Sequence, residues 1–322
     1  MYNQSTLRTR TPVERLLFDF MVDQTQFLAD KLFDPKMVDK ATKKVPQSDT
    51  SKLRVPRTLS KTNARAMKID EQFFYSNIDL EEHKLGADIN PHEVANSDNP
   101  MLVDEARKAK IVTLGLLMQR ESLAATLATT AANYNAALTS ALSAGDRWDD
   151  TGDPEAQKVT ADNALVLKCG RPANALAISG TVLRKLKTNS NFRDRVKYTT
   201  GGPVTNEAIK AFFQIDHLFV SDNVQNTANE GATDSISTYW GTNAIFFVYQ
   251  PGVDLESVGY GAMYMRTSPI WQKVIIDEER QGPDGPMREV QVGTEYQLAK
   301  GIVDGESTGL FAGGYLFRTV TS

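Results

Sequence analysis

Cysteine is nearly absent from this sequence: Cys169 stands alone among 322 residues. No intrachain disulfide can form, and no thiolate cluster can hold zinc or an iron–sulfur centre. The fold must rest on burial, or on neighbouring chains. Histidine is almost as scarce, and His83, His92 and His217 lack the i, i+4 pairing that sets two imidazoles on one helical face around a metal. They read as surface or loop residues. Long apolar runs are missing too: the longest is Ala244 to Tyr249, against the roughly 20 residues a membrane-spanning helix needs. A membrane protein is not expected. The first residues carry Arg8, Arg10 and Arg15 but no apolar run followed by a small-residue cleavage site, so no secretion signal is expected. An excess of one charge is also lacking. With Lys+Arg 36 against Asp+Glu 40, the net charge is -4, and no overall basic field is available to hold nucleic acid.

Catalytic motifs are as thin as the composition suggests. Gly305-Glu306-Ser307-Thr308-Gly309 fits G-x-S-x-G, but no histidine follows Ser307 and the next residues, LFAGGYLF, read as a strand where a hydrolase needs a helix. A glycine-rich turn is the simpler reading, and a serine hydrolase remains a remote alternative. There is no G-x-x-x-x-G-K-[ST], and Gly259-Tyr260-Gly261 lacks the third glycine of a dinucleotide loop. Asp146, Asp149, Asp150 and Asp153 miss the alternating order of a calcium loop and read as solvated. No catalytic, cofactor-binding or metal residue is assigned, and the chain is not expected to be an enzyme.

What is present is an ordinary globular composition, 41% hydrophobic and 24% charged, in a length suited to about two domains of roughly 150 residues. Val13, Leu16, Leu17, Phe20, Met21, Phe27, Leu28 and Leu32 follow one helical face, which predicts an amphipathic helix within Pro12 to Phe33. Between Lys40 and Lys68 nine basic residues face a single acid, Asp49. Leu53, Val55 and Leu59 read as extended chain with Gln72 to Leu80 as the partner strand, giving a long basic hairpin. Such a ribbon has too few apolar residues to bury a core of its own, so it is expected to lie on another surface, one between subunits.

Asp98-Asn99-Pro100 is a helix-start signal, and Met101 to about Asn133 is rich in strong helix formers, predicting a rod of about 45 Å. The turn-rich Gly145 to Pro154 reads as a boundary. Beyond it come a strand at Ala175–Ser179, helices at Gly180–Leu186 and Asn206–Phe213, and strands at His217–Val220 and Ala244–Tyr249. Lys273 to Glu278 and Met287 to Ala299 flank Gly282-Pro283-Asp284-Gly285-Pro286 as a second hairpin, with Val290 and Val292 on the face that packs against the long helix. A last strand, Leu310 to Phe317, is expected to complete that layer.

This order of parts resembles the tailed-bacteriophage major capsid proteins of the Hong Kong 97 fold. Local wording agrees at Trp148-Asp149-Asp150, at RPANALAISGTVLRKLKTNSNFRDRVKYT (171–199), at NEAIKAFFQIDHLFVSDN (206–223) and at YWGTNAIFFVYQPG (239–252). The resemblance runs from Pro12 to the C-terminus. It implies an α+β chain with an N-terminal arm (1–42), an extended β-hairpin loop (43–80), a peripheral domain with the spine helix (81–158), an inserted axial α+β domain (159–264) and a return to the peripheral domain (265–322). The implied function is a structural subunit that self-assembles into hexamers and pentamers of an icosahedral head around double-stranded DNA. Localisation would be the virion, with assembly in the host cytoplasm.

The implied partners are copies of itself, a portal protein, scaffolding or decoration proteins, and packaged DNA held nonspecifically. No long helical segment precedes Pro12, which implies a separate scaffolding protein or none. On this reading Lys52, Arg54, Arg57, Lys61 and Arg65 meet acidic surface on the next subunit, for which Asp79, Glu81 and Glu82 or Asp277, Glu278 and Glu279 are candidates. Arg8, Arg10 and Arg15 are candidates to face DNA. An encapsulin-like cellular nanocompartment, built from the same fold around a cargo enzyme, is the alternative.

Overall fold

Residues 27–47, 55, 74–89, 103–149, 152–200, 204–229, 231–252, 259–266, 273–282, 285–301 and 310–321 are described by the computed structural model. The described chain starts with one helical turn, α1 (Ala29–Leu32), and passes directly into strand β1 (Phe33–Val38). The helical pattern read up to Phe33 therefore stops short of it. Phe33 is extended because it pairs with Gly261 in a parallel ladder. Strands β2 (Thr42–Gln47) and β3 (Phe74–Asp79) form an antiparallel ribbon, from Thr42↔Asp79 to Gln47↔Phe74. The strand paired with 74–79 is thus 42–47; Val55 is exposed and in no strand, and Leu53 and Leu59 lie outside the described residues.

Strand β4 (Glu81–Ile89), which the sequence analysis missed, precedes the spine helix α2 (Val103–Thr129), 27 residues or about 40 Å long. A short strand β5 (Thr139–Ala141) leads to α3 (Pro154–Cys169). Local chemistry sets that helix: the Asp153 carboxylate accepts from the Glu155 and Ala156 amides, Pro154 opens the first turn, and Gly170 ends it at φ 75°. Then come β6 (Ala175–Ser179), α4 (Gly180–Thr188), α5 (Ser190–Thr200), α6 (Asn206–Phe213) and β7 (His217–Ser221). A small ribbon of β8 (Val224–Asn226) and β9 (Ile236–Thr238) precedes β10 (Ala244–Phe247) and β11 (Gly261–Arg266). The chain closes with the long hairpin β12 (Lys273–Gly282) and β13 (Gly285–Lys300), then β14 (Gly314–Arg318).

Two sheets organise these elements. The first runs β1-β11-β13-β12, with β4 along the other side of β13. Val290 and Val292 are fully buried, and Val112 and Leu116 of α2 pack on Val292, so the alternating hairpin does seat its apolar face on the spine. The second sheet runs β5-β14-β10-β6-β7.

Here the structure corrects the reading of the C-terminal strand. β14 does not join the hairpin layer but pairs with β10 and β5 in the second sheet. Its physical reason is burial on both faces: Gly314 to Phe317 are all buried, which suits a central strand and not a layer with one wet face. Within the turn-rich stretch at 145–154, Trp148 is held in the core. Trp148 is fully buried against Phe213 and Phe246, and its amide donates to the Val320 carbonyl. Three expected boundaries also fall inside elements, 42/43 within β2, 158/159 within α3 and 264/265 within β11.

Candidate assembly surfaces and a buried polar junction

Among the described residues no group of three or more His, Cys, Asp or Glu gathers to hold a metal. His83 stacks on Tyr296 with ring centroids 4.3 Å apart, and His217 meets Tyr249 edge-on at 4.8 Å, so both imidazoles serve as ring partners. His92 and Ser307 lie outside the described residues. Burial pushes the Cys169 thiol up, away from the thiolate form that reacts. No helix among the described residues is long and apolar enough to cross a membrane.

The charged residues singled out in the sequence divide three ways. Lys52, Arg54, Arg57, Lys61 and Arg65, with Arg8, Arg10 and Arg15, lie outside the described residues. The root of their hairpin is described, and it is anchored: Ile78 of β3 packs with Val38, Ala262 and Tyr264, and the Asp79 amide donates to Gln297 Oε1 at 2.9 Å. Asp79, Glu81 and Glu82 are brought together where β3 passes into β4, and all three are exposed. Glu82 already has an internal partner, Lys84 Nζ at 2.7 Å. Asp277, Glu278 and Glu279 lie on β12, on the far side of β13, and form a separate group. Asp277 pairs in register with Glu289, which pairs in turn with Asp88 of β4. Three acidic positions thus share one cross-strand row, 277, 289 and 88, in the ladder register.

The residue that sequence reasoning missed is Glu121. It is a charged residue in the middle of the spine helix, yet it is fully buried. Oε1 accepts from the Leu28 amide at 2.9 Å and from Trp240 Nε1 at 2.7 Å, and Oε2 accepts from the Ala29 amide at 2.8 Å. Helix α1 has no side-chain cap of its own, so Glu121 supplies it from the middle of α2. Beside it Arg120 Nη2 pairs with Asp30 Oδ2 at 2.9 Å. Burial pushes the Glu121 carboxyl up against the pull of its three donors, and the Asp30 charge adds to the rise. The only sequence signal was a carboxylate inside an otherwise alanine-rich helical face.

A second junction closes the end of the spine. Tyr134 and Tyr260 share a hydroxyl–hydroxyl bond of 2.5 Å, and Tyr134 also donates to the Ala128 carbonyl at 2.6 Å. Tyr260 stacks flat on Phe311 at 4.6 Å. Burial holds both phenols well above their ordinary range. Together the two junctions fix the N-terminal segment, the spine and both sheets to one another.

Comparison with known proteins places this architecture. No protein-family profile matches the chain. In sequence it is 25% identical over 228 residues to the major capsid protein of Burkholderia phage BcepMu, covering 70% of this chain and 72% of that one. In structure it matches a phage-related protein from Bordetella bronchiseptica RB50 with a TM-score of 0.72 at 20% identity, over 96% of each chain. The capsid protein of cyanophage P-SCSP1u matches at TM-score 0.57 and 12% identity, over 91% of this chain and 88% of that one. A virus-like particle from Pyrococcus furiosus matches at 0.52 and 13%, over 95% and 98%. The fold is the α+β capsid fold of the Hong Kong 97 type, and the chain resembles a bacteriophage major capsid protein. Homology supports a structural capsid role.

Proposed function

We propose that this chain is the shell-forming subunit of a phage head, assembling with copies of itself into hexamers and pentamers around double-stranded DNA. The observation that supports this most is the match to the BcepMu major capsid protein over most of both chains. Work is done by interfaces, with no reaction centre. The basic hairpin is laid on a neighbour, and acidic residues of the first sheet are its receptor: Asp277, Glu278 and Glu279 of β12, or Asp79, Glu81 and Glu82 where β3 passes into β4. Leu167, 80% exposed on α3, and Ile236, 70% exposed on the β8–β9 ribbon, are apolar contact points for adjoining copies. Each contact need only be weak, because closure of the shell adds many of them. Portal, scaffolding or decoration proteins complete the set of partners, assembly takes place in the host cytoplasm, and Arg8, Arg10 and Arg15 face the packaged DNA.

The test is the purified protein in the electron microscope. Closed isometric particles support the reading, and a persistent small oligomer under assembly conditions refutes it. Reversing Arg54, Arg57 and Arg65 together to Glu should leave a folded subunit that makes no shells; normal particles from that variant would remove the hairpin from the mechanism. A nanocompartment shell of the same fold is the second reading, since the fold is shared with a virus-like particle. Shell contents separate the two, nuclease-protected DNA in a head against a packaged enzyme in a compartment.

A further inference from the structure

Among the described residues of the spine, two exposed apolar side chains stand close together on one face, while a third, Leu123, stands apart from them. In the first half of α2, Ile111 is 56% exposed and Leu114 38%, and Met118 is half-buried one turn further on. Positions 111, 114 and 118 follow the i+3, i+4 spacing of a single helical stripe, and the next two positions of that series are 121 and 125. Glu121 is the residue that receives the Leu28 and Ala29 amides. One stripe therefore carries uncovered apolar side chains in its first half and the seat of the N-terminal segment in its second.

The chain arrives on this stripe at Phe27 and Leu28, and residues 1–26 precede that point. Their sequence supplies a matching surface. Val13, Leu16, Leu17, Phe20 and Met21 lie at the spacing of one helical face. As a helix they would extend about 12 Å, against about 10 Å from Ile111 to Met118. The residues between Met21 and Phe27 span up to roughly 20 Å when extended, whereas Glu121 stands only about 10–15 Å along the helix from Leu114 and Ile111. Segment 12–21 carries Glu14 and Asp19 against Arg15, a net acidic charge facing a stripe bordered by exposed Lys110.

We propose that the Ile111–Leu114–Met118 stripe is the docking surface for the amphipathic segment 12–21 of the same chain, laid back along the spine from its anchor at Glu121. A tether this short holds the segment near the stripe at an effective concentration a separate partner does not match. The inference concerns the single subunit and is independent of the shell reading.

Photo-crosslinking decides it. p-Benzoyl-phenylalanine is placed at Leu114, and as a control at exposed Gln119, which points well away from the stripe. Full-length chains carrying the probe, one batch in nitrogen-14 and one in nitrogen-15, are mixed, allowed to assemble and irradiated, and linked peptides are read by mass spectrometry. The expected result is linkage from position 114 to residues 12–21 in peptide pairs of one isotope only, with none to that segment from position 119. Linked pairs of mixed isotope would place a neighbour's arm on the stripe and overturn the proposal. So would linkage elsewhere, or none. Leu17→Asp with Phe20→Asp should lower the yield from position 114 at least tenfold with the circular dichroism unchanged, and an unchanged yield would also overturn it.

Discussion

Replacing Glu121 with alanine is expected to be among the most damaging single changes in this chain. The substitution orphans three donors at once, the Leu28 and Ala29 amides and the Trp240 indole N–H, at residues no more than 3% exposed. A buried donor left without an acceptor costs about 1–3 kcal/mol, and relief of the buried carboxylate's own desolvation offsets part of the sum. The net loss should be about 3–5 kcal/mol. For an m of about 2 kcal/mol/M, that lowers the urea midpoint of the unassembled subunit by about 1.5–2.5 M. Tryptophan fluorescence is the natural probe, because Trp240 sits at the site.

Glu121→Gln keeps the shape and one acceptor and should cost less, about 1–3 kcal/mol. The pH dependence carries a second check. Burial raises the Glu121 carboxyl above its ordinary value, so in the window between the two values the folded chain holds a proton that the unfolded chain has lost. This group's contribution is full below the ordinary glutamate value and is lost as pH rises through the raised one. Glu121→Gln should remove this component of the slope. An alanine variant within about 0.5 kcal/mol of the parent would refute the clamp, since surface substitutions alone stay in that range.

Gly261 pairs with Phe33, and a Cβ there would stand 2.5 Å from the Phe33 ring, so Gly261→Ala should cost about 1–3 kcal/mol by overpacking and lower the melting temperature measurably. Asp153→Ala removes the cap that opens α3 and should cost about 0.5–2 kcal/mol, read by the same denaturation curve; no change would show the cap to be idle. Burial pushes the Tyr264 and Tyr296 phenols up to about 12, against an ordinary 10.0. Their folded values are raised, so the stability they contribute is present below about pH 10 and is lost as pH rises toward 12. Ultraviolet titration of the folded protein should show these phenols ionising late, and a full tyrosinate signal near pH 10.5 with the fold intact would contradict their burial.

Local signals in the sequence were decisive where the chain's own chemistry sets the element. The spine helix, the helix at Asn206–Phe213, the strand at Ala175–Ser179 and the hairpin around 282–286 were legible because caps, turn residues and periodicity act over a few residues. β4 was missed because EEHKLGADI carries almost no apolar alternation: its place comes from ladder bonds to β13, a partner some two hundred positions away. The same distance hid the destination of β14, whose apolar run says that it is buried but not in which sheet.

Composition and pattern alone excluded an intrachain disulfide, a thiolate metal cluster and a membrane-spanning apolar run, and they marked the spine helix and the long C-terminal hairpin. Tertiary structure alone decided that Glu121 is a buried cap and not a surface charge, that Tyr134 and Tyr260 close the end of the spine, and that Trp148 belongs to the core of the second sheet. The division is physical. Periodicity and capping are properties of neighbours along the chain, whereas the worth of a carboxylate or a phenol depends on whether distant segments remove its water and supply the hydrogen bonds that water gave.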